Sequence, residues 1–333
     1  MLTRREFVRL AGLSGIAGLA GSAAVLASCS AAPPAVGEGA PIPLYAEDPA
    51  DGAELSGEVA GEIKVAFAAL VSPQESFYKY QNLVAYLEAE LGQSIGVVRR
   101  QTYREVNELL GSGEVDFGFI CSLSYVMGLD AGTLEGVAVP IVNGRNYYQG
   151  YVISRTDSGL STLEDLEGTT FAFTDPFSYT GRLSMLKLLH DKAGADEGYF
   201  KDVFYTYSHD SSIQAVHLGI ADAASVDSLV YDELARAGSD IVANTSIIYE
   251  GPFAGMPPVV SSRATDASLR RRFQDTLLGM DGSEQGRAVL AELGYDRFEV
   301  PDDAGYEVIR EALRAVGPEV LDEDAAAASA GSS

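Results

Sequence analysis

A chain of 333 residues is long enough for two ordinary domains around a sizeable core. With 47% hydrophobic and 21% charged residues it is globular in composition, and a net charge of −25 argues against nucleic acid or an anionic membrane surface as partner. A small anion stays open, because unpaired backbone N–H groups at helix starts hold anions without any lysine.

Residues 1–28 read as an export signal. Arg4 and Arg5 precede an apolar stretch from Leu10 to Ala27 that is interrupted by Gly12, Gly15, Gly18 and Gly21. Such mild hydrophobicity suits a removable signal better than a permanent span. TRREF resembles the twin-arginine export motif. LASC resembles a lipobox, whose cysteine, here Cys29, becomes the lipidated first residue; a plain secretory signal with a chance cysteine is the alternative. Cleavage before Cys29 makes the chain more negative still, since Arg4, Arg5 and Arg9 leave with only Glu6. Residues 29–60 are rich in Ala, Pro, Gly, Glu and Asp without periodicity and read as a flexible tether; residues 321–333 form a similar tail. Acylation of Cys29 leaves Cys121 without a disulfide partner, and its apolar strand pattern marks it as a buried small hydrophobe.

Between tether and tail, strand and helix patterns alternate. EIKVAFAAL (Glu62–Leu70) reads as a strand. The next stretch opens a helix with Ser72 as N-cap, Pro73 at the first helical position and Glu75 three after the cap, and it closes at Gly92. SIGVVRRQ is a strand, YREVNELLGSG a helix and VDFGFI a strand that leads to a helix start at Ser122. YYQGYVISR, TTFAFTD, VFYTYS and AAS read as strands with helices between them. After Gly251 come PPVVSSR, a basic helix near Leu269 to Leu278, SEQGRAVLAELG, and a last helix from about Gly305 to Val316. The alternation predicts an α/β architecture with mostly parallel strands.

One internal repeat stands out. YREVNELLGSGEVDFGFICS (Tyr103–Ser122) aligns without a gap on HDSSIQAVHLGIADAASVDS (His209–Ser228), matching Gly113 with Gly219, Asp116 with Asp222 and Ser122 with Ser228. Each copy is a helix, a Gly stop, an Asp and a short apolar strand ending in Ser, as two equivalent α/β lobes facing one another across a cleft would produce. Ligands of open α/β sheets bind outside the carboxyl ends of the strands. Ser72, Tyr103, Ser122, Ser178 to Thr180, His209, Asp227 and Ser228 fall at those ends.

The segment DPFSYTG, Asp175 to Gly181, holds more polar groups than a helix start needs. The first helical turn presents unpaired N–H groups and partial positive charge. Ser178, Tyr179 and Thr180 add hydroxyls, and Gly181 lets a ligand approach the backbone. Together they suit a small tetrahedral oxyanion; an N-cap at Ser178 with leftover polar neighbours is the plainer reading. His209, beside Asp210, is an anion donor or a turn residue, His190 reads as surface, and His217 lies too far round the helix to share a metal with His209. No CxxC, HExxH, G-x-S-x-G or P-loop pattern occurs, so no metal centre, cofactor or catalysis is expected, and a binder is favoured over an enzyme.

VDFGFICSLSYV, GTTFAFTDPFSYTG, SHDSSIQAVHLGIADAASVDS and GPFAGMPPVV, in this order, resemble the periplasmic phosphonate-binding family, the solute-binding components of ABC importers for phosphonate, phosphite or phosphate. The resemblance spans roughly Gly61 to Val316 and implies a two-lobed, periplasmic-binding-protein-like (type II) fold with a hinge and an interlobe ligand cleft. It implies lobe 1 from residues 61–143 and 252–320, lobe 2 from residues 144–251, and a hinge near Asn143–Arg145 and Tyr249–Phe253. The family's oxyanion contacts carry onto Ser178, Tyr179 and Thr180, its histidine onto His209, and its closing tyrosines onto Tyr103 and Tyr148. Ser122 and Asp227 complete the candidate ligand-binding set. Two departures matter: Tyr179 stands where the family often has Thr, and AGMPPVV lacks the acidic residue that contacts a ligand amine. An ammonium group would lose a charge-assisted partner worth ~1.5–3 kcal/mol, unless Asp227 compensates. The expected ligand is therefore phosphite, methylphosphonate or phosphate, carried by a monomer that docks on an ABC permease and ATPase and is held to the membrane only by its lipid. The alternatives are a ferric-ion carrier using Tyr147 and Tyr148 with His209 and Asp227, a sensor lipoprotein that does not transport, and a phosphoester hydrolase.

Overall fold

A computed structural model of the chain describes residues 62–321. The expected export signal, the lipidated Cys29, the tether and the tail after residue 321 lie outside the described residues. The first half runs β1 (Ile63–Phe67), α1 (Pro73–Leu91), β2 (Ile95–Arg99), α2 (Tyr103–Ser112), β3 (Phe117–Phe119), α3 (Ser122–Asp130), β4 (Leu134–Ile141), β5 (Tyr147–Tyr148) and β6 (Gly150–Arg155). It continues through β7 (Thr170–Phe173), α4 (Ser184–Ala193), β8 (Asp202–Tyr205), α5 (His209–His217), β9 (Ala223–Asp227), α6 (Ser228–Arg236) and α7 (Asp240–Ala243). The chain then adds β10 (Thr245–Glu250), β11 (Ala254–Gly255), β12 (Val259–Ser262), α8 (Ala267–Leu278), α9 (Glu284–Leu293), β13 (Arg297–Glu299) and α10 (Glu307–Val316). No helix among the described residues is long and apolar enough to cross a membrane.

Two sheets make two lobes. One has the order β13-β4-β12-β3-β1-β2 and the other β10-β6-β9-β7-β8. The side-chain alternation of a strand fills both faces of each sheet. In β1, Ile63, Val65 and Phe67 face α1, α8 and α9, while Ala66 faces the core beneath α2, α3 and α10. In the second lobe Ile153 and Ala172 pack under α5, α6 and α7, and Val152, Phe171 and Phe173 pack under α4.

The expectation of mostly parallel strands is corrected: both sheets are mixed. β1, β2 and β3 are parallel, as are β7, β8 and β9, but β12, β4 and β13 pair antiparallel in the first sheet, and β6 and β10 do so in the second. The chain passes twice between the sheets, so each sheet receives a strand that enters beside one that leaves. β4, β10 and β13 escape the sequence patterns because β4 contains Gly136 and Pro140, β10 is an edge strand and β13 is three residues long. YYQGYVISR, read as one strand, divides. β5 pairs with β11 in a two-stranded ladder, and β6 joins the second sheet. This ladder holds the two passages between the lobes side by side, next to a tight turn at Asn143 (φ 51°) and Gly144 (φ 72°).

The repeat corresponds to equivalent units. α2 closes at Gly113 (φ 77°) and leads to β3 and Ser122, while α5 is followed by Gly219 (φ 72°), β9 and Ser228. Helix starts follow the sequence at several points. Thr102 and Glu105 form a reciprocal capping box on α2, Ser178 accepts from the N–H of Gly181, and Gly92 ends α1 in the left-handed region. Ser72 takes the expected N-cap position of α1. Its side chain makes no cap bond, and its N–H donates to Oδ1 of Asp210 in the other lobe at 2.9 Å.

Candidate functional site

Between β7 and α4 the DPFSYTG segment leads into a single π-helical stretch, Tyr179–Leu183. Such turns are rare and concentrate at functional positions. Gly181 is required there, because a Cβ would lie 2.5 Å from Cβ of Thr174 and 2.8 Å from Oγ of Ser178. The starts of α2 and α3 and the strand β9 bond directly to this turn, and the starts of α5 and α6 bond to each other. The N–H of Tyr103 donates to Oδ2 of Asp175 at 3.1 Å, and the N–H of Tyr179 donates to Sγ of Cys121 at 3.5 Å. The N–H of Asp227 donates to Nδ1 of His209 at 3.1 Å, and the hydroxyl of Ser225 donates to the carbonyl of Thr180 at 2.6 Å. Gln149 donates its N–H to Oγ of Ser228 at 3.2 Å. Helix N-termini from both lobes thus gather near one place with their partial positive charges, and the buried arginine of the turn, Arg182, is paired with Glu197 at 2.7 Å.

All eight candidate ligand-binding residues are buried at this junction. Their bonds divide them. Ser122 donates its hydroxyl to the carbonyl of Gly255 at 2.7 Å, and the oxygen of Ser178 caps the π-helical turn. Oδ1 of Asp227 accepts from the N–H of Leu229 at 2.6 Å and so caps α6. The Tyr103 hydroxyl lies 3.5 Å from the carbonyl of Ala69, at the limit of a hydrogen bond. The other four carry polar atoms that are buried and meet no hydrogen-bond partner among the described residues: Oη of Tyr148, Oη of Tyr179, Oγ1 of Thr180 and Nε2 of His209. Such atoms are uncommon in folded proteins and each needs a reason.

The four unpartnered donors are neutral groups, and the buried carboxylates of Asp175 and Asp227 lie among the same helix starts. The backbone N–H of Asp227 can only donate, so Nδ1 of His209 must accept, and the ring proton sits on Nε2. Burial pushes the His209 imidazole down to about 3, so it is uncharged at neutral pH. Burial, more than the neighbouring Cys121, raises the Tyr148 hydroxyl well above the usual tyrosine range. Burial raises Tyr179 and Tyr103 as well. The Cys121 thiol, pushed up to about 11 mainly by burial, is the buried small group that its pattern predicted.

Tyr147 and Tyr148 do not act as a pair. Adjacent residues of a strand face opposite sides. Tyr147 is exposed and packs edge-on against Phe253 with ring centres 4.8 Å apart, while Tyr148 is buried. Among the described residues no group of three His, Cys, Asp or Glu side chains gathers as metal ligands would. The segment AGMPPVV brings no carboxylate: Met256 is fully buried, and the Tyr306 hydroxyl donates to its carbonyl at 2.7 Å. A cleft of about 340 Å³ borders the site at Asp227 and is lined mostly by apolar residues, among them Leu70, Ile120, Leu229 and Pro257. Of the eight candidates it takes only Asp227. The unpartnered donors lie in the buried cluster and not in this apolar cleft.

Sequence reading missed Thr174, Ser212, Thr206 and Ser225, which surround His209 and the turn. Thr174 directly precedes the quoted segment at the end of β7, which was the available signal.

A model of the family described as ABC transporter, phosphonate, periplasmic substrate-binding protein matches residues 65–306. The chain is 28% identical over 171 residues to the phosphate-import protein PhnD of Mycolicibacterium smegmatis, an alignment covering 48% of this chain and 53% of that one. It therefore spans about half the length of that relative. To the phosphonates-binding periplasmic protein of Escherichia coli K12 it is 21% identical over 230 residues, 68% of each chain. The fold matches the binding protein component of an ABC phosphonate transporter from Pseudomonas aeruginosa with a TM-score of 0.71 at 19% identity, over 75% of this chain and 85% of that one. It matches PhnD1 from Prochlorococcus marinus, solved in complex with methylphosphonate, with a TM-score of 0.69 at 17% identity, over 76% and 97%.

Proposed function

The chain belongs to the periplasmic substrate-binding proteins of ABC phosphonate transporters, and on that premise we propose that it captures a small phosphorus oxyanion between its lobes and delivers it to a permease. The observation that carries this reading is the cluster of four buried donors without a partner among the described residues, Tyr148, Tyr179, Thr180 and His209, near the helix starts. Neutral hydroxyls, one imidazole N–H and backbone dipoles stabilise an anion without a side-chain cation. They come from the second lobe and from the passage between the lobes, and Tyr103 and Ser122 present the first lobe. A ligand that touches both lobes only in the closed state favours closure, and the ladder of β5 and β11 is where the passages would bend.

The ligand has no amine in this proposal: phosphite, methylphosphonate or phosphate. The AGMPPVV segment offers no carboxylate, and Oδ1 of Asp227 is engaged at the start of α6. Export, a lipid on Cys29 with the chain acting as a monomer, and partnership with a permease and an ATPase complete the role. A binding role, not catalysis, is what the donor cluster favours. The ferric alternative loses its ligand pair, because Tyr147 and Tyr148 face opposite ways.

A thermal-shift titration of the purified protein tests this reading, because binding to the native state alone raises the melting temperature with ligand concentration. At least one of phosphite, methylphosphonate and phosphate should raise it, more than aminoethylphosphonate does. No shift from any of the three, or an aminoethylphosphonate shift equal to the best, contradicts the proposal.

A further inference from the structure

Nδ1 of His209 has a second neighbour besides the Asp227 amide. Oγ1 of Thr174 lies 3.0 Å from it, and both side chains are fully buried. The amide already makes Nδ1 an acceptor, so the Thr174 hydroxyl must donate in this contact. Its other possible acceptors, Oγ of Ser212 at 3.2 Å and the carbonyl of Ser225 at 3.4 Å, are both farther away. Behind Thr174 stands a buried line of hydroxyls. With the Thr174 proton on His209, Ser212 donates to Oγ1 of Thr174 at 3.2 Å and Thr206 donates to Oγ of Ser212 at 2.6 Å. Thr174 is also tied to the anion turn, since its N–H donates to the carbonyl of Gly181 at 3.2 Å and its side chain fills the space a Cβ at Gly181 would need.

We infer that Thr174 is a positioning residue: its hydroxyl holds the His209 ring from behind so that the Nε2–H points at the bound oxyanion. One donor on Nδ1 fixes the tautomer but leaves the ring free to swing about that bond; two donors from different elements, the end of β7 and the start of α6, fix its rotation as well. The same residue buttresses the turn that carries Thr180, so the two halves of the proposed site share one support. The aim of the ring toward an oxyanion rests on the functional reading above; the bond from Thr174 to Nδ1 does not.

The test uses the purified full chain with ring-nitrogen-labelled histidine, His209→Asn to assign the resonance, and methylphosphonate and phosphite as probes. In the ligand-free protein at neutral pH, Nδ1 of His209 should be the unprotonated nitrogen. In Thr174→Val its resonance should move downfield, as an imidazole nitrogen does when it loses a donor, and in Thr174→Ser it should return. Affinity for the probe that binds should fall roughly tenfold in Thr174→Val and recover in Thr174→Ser. If Thr174→Val does not fold, Thr174→Ala supplies the same two readouts. A proton on Nδ1, or an unmoved Nδ1 resonance in the hydroxyl-free variant, overturns the inference. So does a moved resonance with unchanged affinity. If neither probe binds the wild-type protein, the functional reading and the aiming role fail together, while the resonance still decides whether Thr174 holds the ring.

Discussion

Tyr103 donates its backbone N–H to Oδ2 of Asp175 across the two lobes, at 3.1 Å, while Oδ1 of the same carboxylate accepts from Phe177 in its own turn at 2.7 Å. One fully buried carboxylate therefore both shapes the anion turn and latches it to the start of α2. Asp175→Asn places an NH₂ group against one of these two donors and removes a charge-assisted bond worth about 1.5–3 kcal/mol. Small-angle scattering should show a larger radius of gyration for this variant than for the wild type without ligand, and titration calorimetry should show weaker binding. An unchanged radius would mean that the latch does not set the lobe equilibrium.

The buried hydroxyls of Thr180 and Tyr179 have no partner among the described residues, and that arrangement carries a stability penalty. Leaving a buried donor unpaired costs about 1–3 kcal/mol. Thr180→Val and Tyr179→Phe keep the shape and remove the polar atom. Each should raise the urea midpoint of the ligand-free protein, by about 1 kcal/mol of stability, and weaken oxyanion binding roughly tenfold. Destabilised variants with unchanged affinity would assign these hydroxyls to the fold alone.

His209 links stability to pH. Burial lowers its pKa in the folded chain from 6.5 to about 3, so as the pH falls the unfolded chain takes up this proton first. The stabilisation is complete above about pH 6.5 and is lost progressively toward about pH 3, at ~1.4 kcal/mol per pH unit inside that window. From about pH 7 to about pH 5.5 the wild type should lose about 1 kcal/mol more stability than His209→Asn, measured by urea denaturation. Equal losses would place the His209 titration in its ordinary range.

A protein of net charge −25 repels a dianion at long range, while the proposed site would attract an oxyanion only at short range, through dipoles and hydroxyls. The Debye length shrinks from about 30 Å at 0.01 M salt to about 10 Å at 0.1 M. Stopped-flow association of the oxyanion should therefore become faster as salt is added over this range. A rate that falls with salt would reveal cationic steering, which the neutral donor set does not provide.

Much of this was legible in the sequence because it rests on local rules. The Gly stops at Gly92 and Gly113, the Ser178 cap and the repeated helix–Gly–Asp–strand–Ser unit need only neighbouring residues to be recognised, and they place most of the site at helix starts. What stayed hidden depends on distant partners. Ser72 reads as a cap, but its N–H is drawn to Asp210 of the other lobe. Tyr147 and Tyr148 read as a pair, and only the pairing of β5 with β11 shows that they diverge. Thr174 lies in the segment GTTFAFTDPFSYTG, but its role arises only where the end of β7 meets α5 and β9, at His209 and Ser225. The strands β4, β10 and β13, by contrast, were illegible for local reasons, Gly136 and Pro140 in β4, the edge position of β10 and the three-residue length of β13.

The central claim is that the four unpartnered donors hold a small, amine-free phosphorus oxyanion. Titration calorimetry of the purified protein, freed of bound solute by unfolding and refolding, tests it most directly with phosphite, methylphosphonate, phosphate and aminoethylphosphonate, on the wild type and on Thr180→Val and His209→Asn. The account predicts saturable binding of at least one amine-free oxyanion, tighter than aminoethylphosphonate and weakened in both variants. Wild-type protein that binds none of them, or variants that bind as tightly as the wild type, would contradict it.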